Sequence, residues 1–168
     1  MPNIDVDGLN FEFPAEWLAS KFDEWAFYRK QFSRMRNGIQ ALDLLALDTQ
    51  KIGWLIEVKD YRIHARTKPS DLGEEVAHKV FDTLAAMPPA RINANDPAEK
   101  YMAQTLLRAK KYCVILHLEQ PAKHSKLRPR AINLADVQQK LRQLMKPIDA
   151  HPRVVERGRM GSLAWSVN

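Results

Sequence analysis

Hydrophobic and polar positions alternate most sharply in the stretch IQALDLLALDTQKIGWLIEVKDYR, residues 39–62, where two apolar runs flank a polar turn. Side chains alternate along a strand, so Ile39, Ala41, Asp43 and Leu45 share one face of the first run. In the second run Leu55, Glu57, Lys59 and Tyr61 share a face, and Trp54, Ile56 and Val58 fill the other. Glu57 and Lys59 then point the same way, about 6.6 Å apart along the strand. Three charges inside buried-looking strands oppose folding unless they are paired, exposed or used. Such a mismatch between local pattern and burial is where function is expected.

The pattern on either side predicts further elements. Segment 13–22, FPAEWLASKF, has Pro14 suited to a first helical position and Trp17, Leu18 and Phe22 at helical spacing, predicting a short amphipathic helix. In residues 24–35, Trp25, Phe27, Arg29 and Gln31 alternate with Ala26, Tyr28, Lys30 and Phe32, predicting a strand. Asn37-Gly38 then predicts a hairpin turn into the central stretch, making three consecutive antiparallel strands. Asp71 and Glu74 match a capping box ahead of the stripe Leu72, Val76, Val80, Leu84 and Met87, with Pro88-Pro89 as the stop. A second helix opens at Asp96-Pro97, with Glu99 as its first-turn acid, and runs to about Lys111. Residues 112–119 read as a buried strand, residues 120–130 as a basic loop, and residues 134–146 as a helix capped by Asn133 and stopped by Pro147. The tail from Arg153 predicts one or two edge strands. The order α-β-β-β-α-α-β-α-β is an α/β (α+β) mixed sheet flanked by helices.

At 168 residues the chain is expected to form a single domain, 1–168, with its core at about 13–119 and a C-terminal elaboration at 120–168. Its 45% apolar and 27% charged content is ordinary for a soluble globular protein. MPNIDVDG carries neither a basic nor an apolar leader region, and no run is long enough to span a membrane, so a cytoplasmic location is expected. The single cysteine, Cys113, excludes an intramolecular disulfide and reads as a small buried hydrophobe. The net charge of +6 is uneven: the first 24 residues hold six acids against one lysine, whereas residues 123–168 hold ten Lys and Arg against three acids. That asymmetry points to a polyanionic partner.

An acid on one strand and Glu-x-Lys on its neighbour place two carboxylates and an ammonium in a small volume. Two carboxylates about 4 Å apart repel by roughly 4 kcal/mol at an effective dielectric of 20. A hard divalent cation removes that repulsion, and Mg²⁺ takes one or two carboxylates plus water and phosphate oxygens. Asp43, Glu57 and Lys59, within LDLLALD and WLIEVKDYR, resemble the active-site signature of the PD-(D/E)XK nuclease superfamily, the restriction-endonuclease-like fold. The resemblance covers residues 13–119. It implies a helix, three strands, a helix and a strand, with Asp43 and Glu57 as metal ligands, the Val58 backbone carbonyl as a third, and Lys59 acting on the attacking water. It further implies a Mg²⁺-dependent endonuclease hydrolysing DNA, with Mn²⁺ as substitute metal and RNA left open as substrate, working as a homodimer or in a larger nuclease complex. The family often adds an acid on its first helix, for which Glu16 is the match. Leu42 stands where the signature has proline, and residues 93–111 are an insert relative to the minimal core.

Two other readings of these residues stand beside that one. The chain is then a catalytically silent module of the same fold that binds nucleic acid or a partner protein, or Asp43, Glu57 and Lys59 form a structural ion-pair cluster. Arg62, Arg66, Lys123, Lys126, Arg128 and Arg130 are candidates for contacting phosphates without reading bases. His117 and Glu119 share a strand face and could bind metal, although a lone strand histidine is more often packed or solvated. No glycine-rich phosphate loop, CxxC pair, nucleophile elbow or HExxH helix occurs.

Overall fold

The computed structural model describes residues 1–127 and 130–168. It begins with a hairpin of β1 (Asn3–Val6) and β2 (Leu9–Glu12), turned by Asp7 and Gly8 at φ 53° and 83°. Positive φ at both central residues gives a turn whose twist matches the strands it joins, and Asp-Gly is well suited to it. The chain then forms β3 (Leu18–Lys21), a 3₁₀ turn over Phe22–Glu24, and the short helix α1 (Ala26–Lys30). After a second 3₁₀ turn come β4 (Leu44–Leu47) and β5 (Ile52–Asp60), joined by a turn in which Asp48 Oδ1 accepts from the amides of Gln50 and Ile52, each at 2.8 Å. Helices α2 (Leu72–Asn93) and α3 (Pro97–Leu106) lead to β6 (Lys111–Glu119). Helix α4 (Leu134–Met145), β7 (Arg153–Val155) and β8 (Ser166–Val167) complete the chain.

The main sheet has the order β3-β4-β5-β6-β7. Its first three strands are antiparallel, and β5, β6 and β7 are parallel. Strands β1, β2 and β8 make a second, smaller sheet. One face of the main sheet carries Leu45, Leu55, Val114 and Leu116 into a core shared with α2, α3 and α4. The other carries Leu44, Trp54, Ile56, Val58 and Ile115 against Phe11, Phe13 and Trp165 from the region of the small sheet. The chain is thus a mixed α/β protein, layered as small sheet, main sheet and helices, with four α-helices among the described residues.

Several expected elements differ from the observed ones. Residues 13–22 form no helix: Phe13 and Trp17 are buried under the small sheet, and Leu18–Lys21 pair with β4. Residues 24–35 are helical rather than extended, because the Glu99 carboxylate caps α1 by accepting from the amides of Ala26 at 2.6 Å and Phe27 at 3.1 Å. The first of the three antiparallel strands is therefore β3, and Asn37-Gly38 is a turn, with Gly38 at φ 82°, that closes no hairpin. Helix α2 continues through Pro88-Pro89 to Asn93. Met87, Ala90 and Ala94 are buried there, and that packing offsets the roughly 3 kcal/mol an interior proline costs. Helix α3 stops at Leu106, short of Lys111. The caps at Asp71, Asp96 and Asn133 form as expected. No helix of the described residues is long and apolar enough to cross a membrane.

Candidate functional site

Strand β5 is central in the sheet and aims Glu57 and Lys59 at α2, on the face that also holds Leu55. Glu57 is wholly buried. Its Oε1 accepts from Lys79 Nζ of α2 at 2.5 Å and lies 3.0 Å from Lys59 Nζ. Lys59 also reaches Glu75 Oε1 at 2.9 Å, and Glu75 binds Arg66 at 2.9 Å and Lys68 at 3.4 Å. Glu75 and Lys79 sit one position before Val76 and Val80 of the apolar stripe, so both turn toward β5. Asp43 precedes β4 rather than lying within it, and its Oδ2 accepts from the Val58 amide at 2.7 Å. The structure therefore brings Asp43, Glu57, Val58 and Lys59 together, within a larger network of four cations and three acids.

Burial, reinforced by the charge of Asp43, pushes the Glu57 carboxyl up to about 7 despite the two lysines. Its second oxygen, Oε2, is buried without a hydrogen-bond partner among the described residues. Burial works against the charge of Lys59, yet Glu57 and Glu75 raise its pKa above the ordinary lysine value. Burial also opposes ionisation of Glu75, but hydrogen bonds from Lys59 and Arg66 outweigh it and bring its carboxyl down to about 2. Burial comes first and the Asp43 charge second in raising the pKa of Asp23, whose Oδ1 is likewise buried without a partner among the described residues.

The remaining candidates separate. Glu16 is exposed in the turn before β3 and lies on no helix; the acid beside Asp43 is Asp23, in the 3₁₀ turn after β3. Arg66 belongs to the Glu75 network and also donates to the Tyr61 hydroxyl at 3.0 Å. Arg62 is held by Asp60 at 2.6 Å and Arg130 by Glu156 at 2.8 Å. Lys123 and Lys126 are exposed, and Arg128 lies outside the described residues. His117 Nε2 is 2.8 Å from Glu119 Oε1, and both side chains are buried. Lys79, Glu75 and Asp23 were not singled out as interacting groups from sequence, and only Glu75 and Lys79 carry a signal, as charges flanking a buried helical stripe; Glu99 was read as an acid of its own helix, whereas it caps α1.

Comparison with known proteins adds one likeness. Over its whole length, in an alignment of 209 residues, the chain is 27% identical to part of a cysteine--tRNA ligase of Neisseria meningitidis. The chain spans 30% of that relative's length. No known family profile matches the chain. No solved structure matches it either.

That likeness overturns the functional expectation drawn from Asp43, Glu57 and Lys59. The relative is a ligase, not a hydrolase, so the Mg²⁺-dependent DNA endonuclease reading is corrected: neither the function nor the enzyme class is carried forward. The geometry agrees with the correction, since two ammonium groups occupy Glu57 Oε1 and a backbone amide takes Asp43 Oδ2. Among the described residues no group of three or more His, Cys, Asp or Glu converges as a metal site. A cleft of about 380 Å³, lined by Gln40, Lys68, Ser70, Glu74, Glu75 and His78, reaches the edge of the network but not Asp43, Glu57 or Lys59.

Proposed function

We propose that the chain is an RNA-directed module that serves aminoacylation, holding tRNA by its phosphates. The observation that carries this reading is the full-length likeness to part of a cysteine--tRNA ligase. The net charge of +6 and the concentration of basic residues after Lys123 support a polyanionic ligand. The network around Glu57 is, in this reading, a scaffold that fixes β5 against α2. A tRNA ligase is the protein partner that goes with it, and a cytoplasmic setting belongs to the same proposal.

The fold assignment is proposed with it: a silent relative of the PD-(D/E)XK superfamily, which binds and does not cleave. Antiparallel β3-β4-β5, followed by helices and a parallel β6, supports that arrangement. A divalent cation, Mg²⁺ with Mn²⁺ as substitute, is proposed at one place only. Asp43 and Glu57 would hold it, and it would neutralise their charges; the unpartnered Glu57 Oε2 favours this site, while Lys59 and Lys79 compete with it.

Fluorescence anisotropy with labelled tRNA, and with duplex DNA of matched length as competitor, tests the central reading. Tighter binding of tRNA than of DNA is expected. Equal affinity for both, or no binding of tRNA, removes it.

A further inference from the structure

The carboxyl ends of the parallel strands β5, β6 and β7 open into a cleft of about 960 Å³. It lies on the sheet face opposite the Glu57 network. Along β6, Glu119 alternates with Leu118 and shares its side with Ile115 and His117; along β5, Asp60 shares that side with Ile56 and Val58. The carboxyl ends of parallel strands are where open α/β sheets place ligands.

Among the described residues five cations line the cleft: Arg62 after β5, Lys123 and Arg130 after β6, and Arg157 and Arg159 after β7. Two are locked in place. Arg62 donates through Nε and Nη2 to Asp60, at 2.6 to 3.1 Å. Arg130 donates through Nη2 to both oxygens of Glu156, at 3.0 and 2.8 Å, and through Nη1 to the Pro121 carbonyl at 3.3 Å. The loops that carry them are tied as well: the Arg157 amide donates to Glu119 Oε1 at 2.6 Å, and the Arg159 amide to the Glu156 carbonyl at 2.7 Å. The side chains of Lys123 and Arg157 form no ion pair among the described residues, and both residues are exposed. Among the described residues the lining holds no aromatic residue. A site without stacking surfaces reads phosphates rather than bases, and guanidinium groups held in advance lose little freedom on binding them.

We propose that this cleft binds neighbouring phosphate groups, with the RNA backbone as their source. The occupant rests on the RNA-directed reading above; the phosphate chemistry does not. Lys123 and Arg157 supply the charge the ligand recruits, while Arg62 and Arg130 give the fixed hydrogen-bond geometry. The acids Asp60, Glu119 and Glu156 hold the frame without cancelling its positive sign.

The test uses the full chain, labelled oligouridylate and tRNA in anisotropy titrations, and inorganic pyrophosphate in calorimetry. Lys123→Glu combined with Arg157→Glu is compared with Arg91→Glu combined with Lys100→Glu, an equal charge change on α2 and α3; circular dichroism checks that both fold. The cleft pair is expected to weaken RNA binding at least tenfold, and the α2–α3 pair to change it little. RNA binding lost equally in both variants, or in neither, overturns the cleft while leaving the RNA-directed reading in place. Pyrophosphate bound by the parent and lost in the cleft pair, with no RNA bound, supports the cleft and moves its source to a free phosphate ligand, at the expense of the RNA-directed reading. Binding of neither ligand overturns both.

Discussion

Glu57 is wholly buried with one carboxylate oxygen shared by two ammonium groups, so each of the three side chains depends on the other two. Removing one member of a buried ion pair leaves a charge uncompensated. Lys79→Met is therefore expected to lower stability by about 3 kcal/mol in urea unfolding, and Glu57→Leu in the same chain to recover most of that loss. A recovery of nothing would mean Lys79 acts by packing alone. The pH dependence separates the two acids. Glu57 has its carboxyl at about 7 in the folded chain against an ordinary 4.5. Between those values the folded chain keeps a proton that the unfolded chain has released, so this contribution to stability falls as pH rises through the window. In metal-free buffer, wild-type stability relative to Glu57→Gln should decline from pH 4.5 to 7. Glu75, at about 2, has the opposite sign: its contribution is lost as pH falls from 4.5 toward 2, and Glu75→Gln should flatten that limb. The facing of Glu57 and Lys59 was legible from alternation along β5. Lys79 was not, because nothing local in α2 says which of its charged edges meets the sheet.

At the scale of elements, what a segment becomes is decided by partners far away in sequence. The pattern of residues 24–35 fits a strand and a helix almost equally, since Trp25, Phe27 and Phe32 are all buried in the helical form too. The choice falls to Glu99, 73 positions from Ala26, whose two oxygens satisfy the first amides of α1. Glu99→Ala should cost about 2 kcal/mol and speed amide exchange at Ala26 and Phe27. Unchanged exchange there would show that α1 is held by its aromatic packing instead. Asp96 and Glu99 looked like one local capping pair; Asp96 does cap α3, through the Ala98 amide at 2.7 Å, while Glu99 serves another helix. The β1–β2 hairpin was not read from the sequence, although Asp7-Gly8 between Val6 and Leu9 carried a local signal for it. The parallel placement of β6 beside β5 follows from its continuous apolar run and the helices that precede it. The passage of α2 through two prolines does not, because it depends on burial of its last turns.

The whole molecule divides its charge between two faces of one sheet. On the helix face, ion pairs close around Glu57 and Glu75 and leave little cation to spare. On the other, at the carboxyl ends of β5, β6 and β7, five cations among the described residues face an open cleft. An electrostatic ligand should therefore meet the second face, and its binding should weaken steeply with salt. The most direct measurement of the central reading is the affinity for tRNA as a function of salt, with duplex DNA measured alongside. If three to five phosphates are neutralised, log K should fall against log salt with a slope of about −2 to −4, and tRNA should outcompete DNA at every salt concentration. A slope near zero, or DNA bound as tightly as tRNA throughout, would contradict the account.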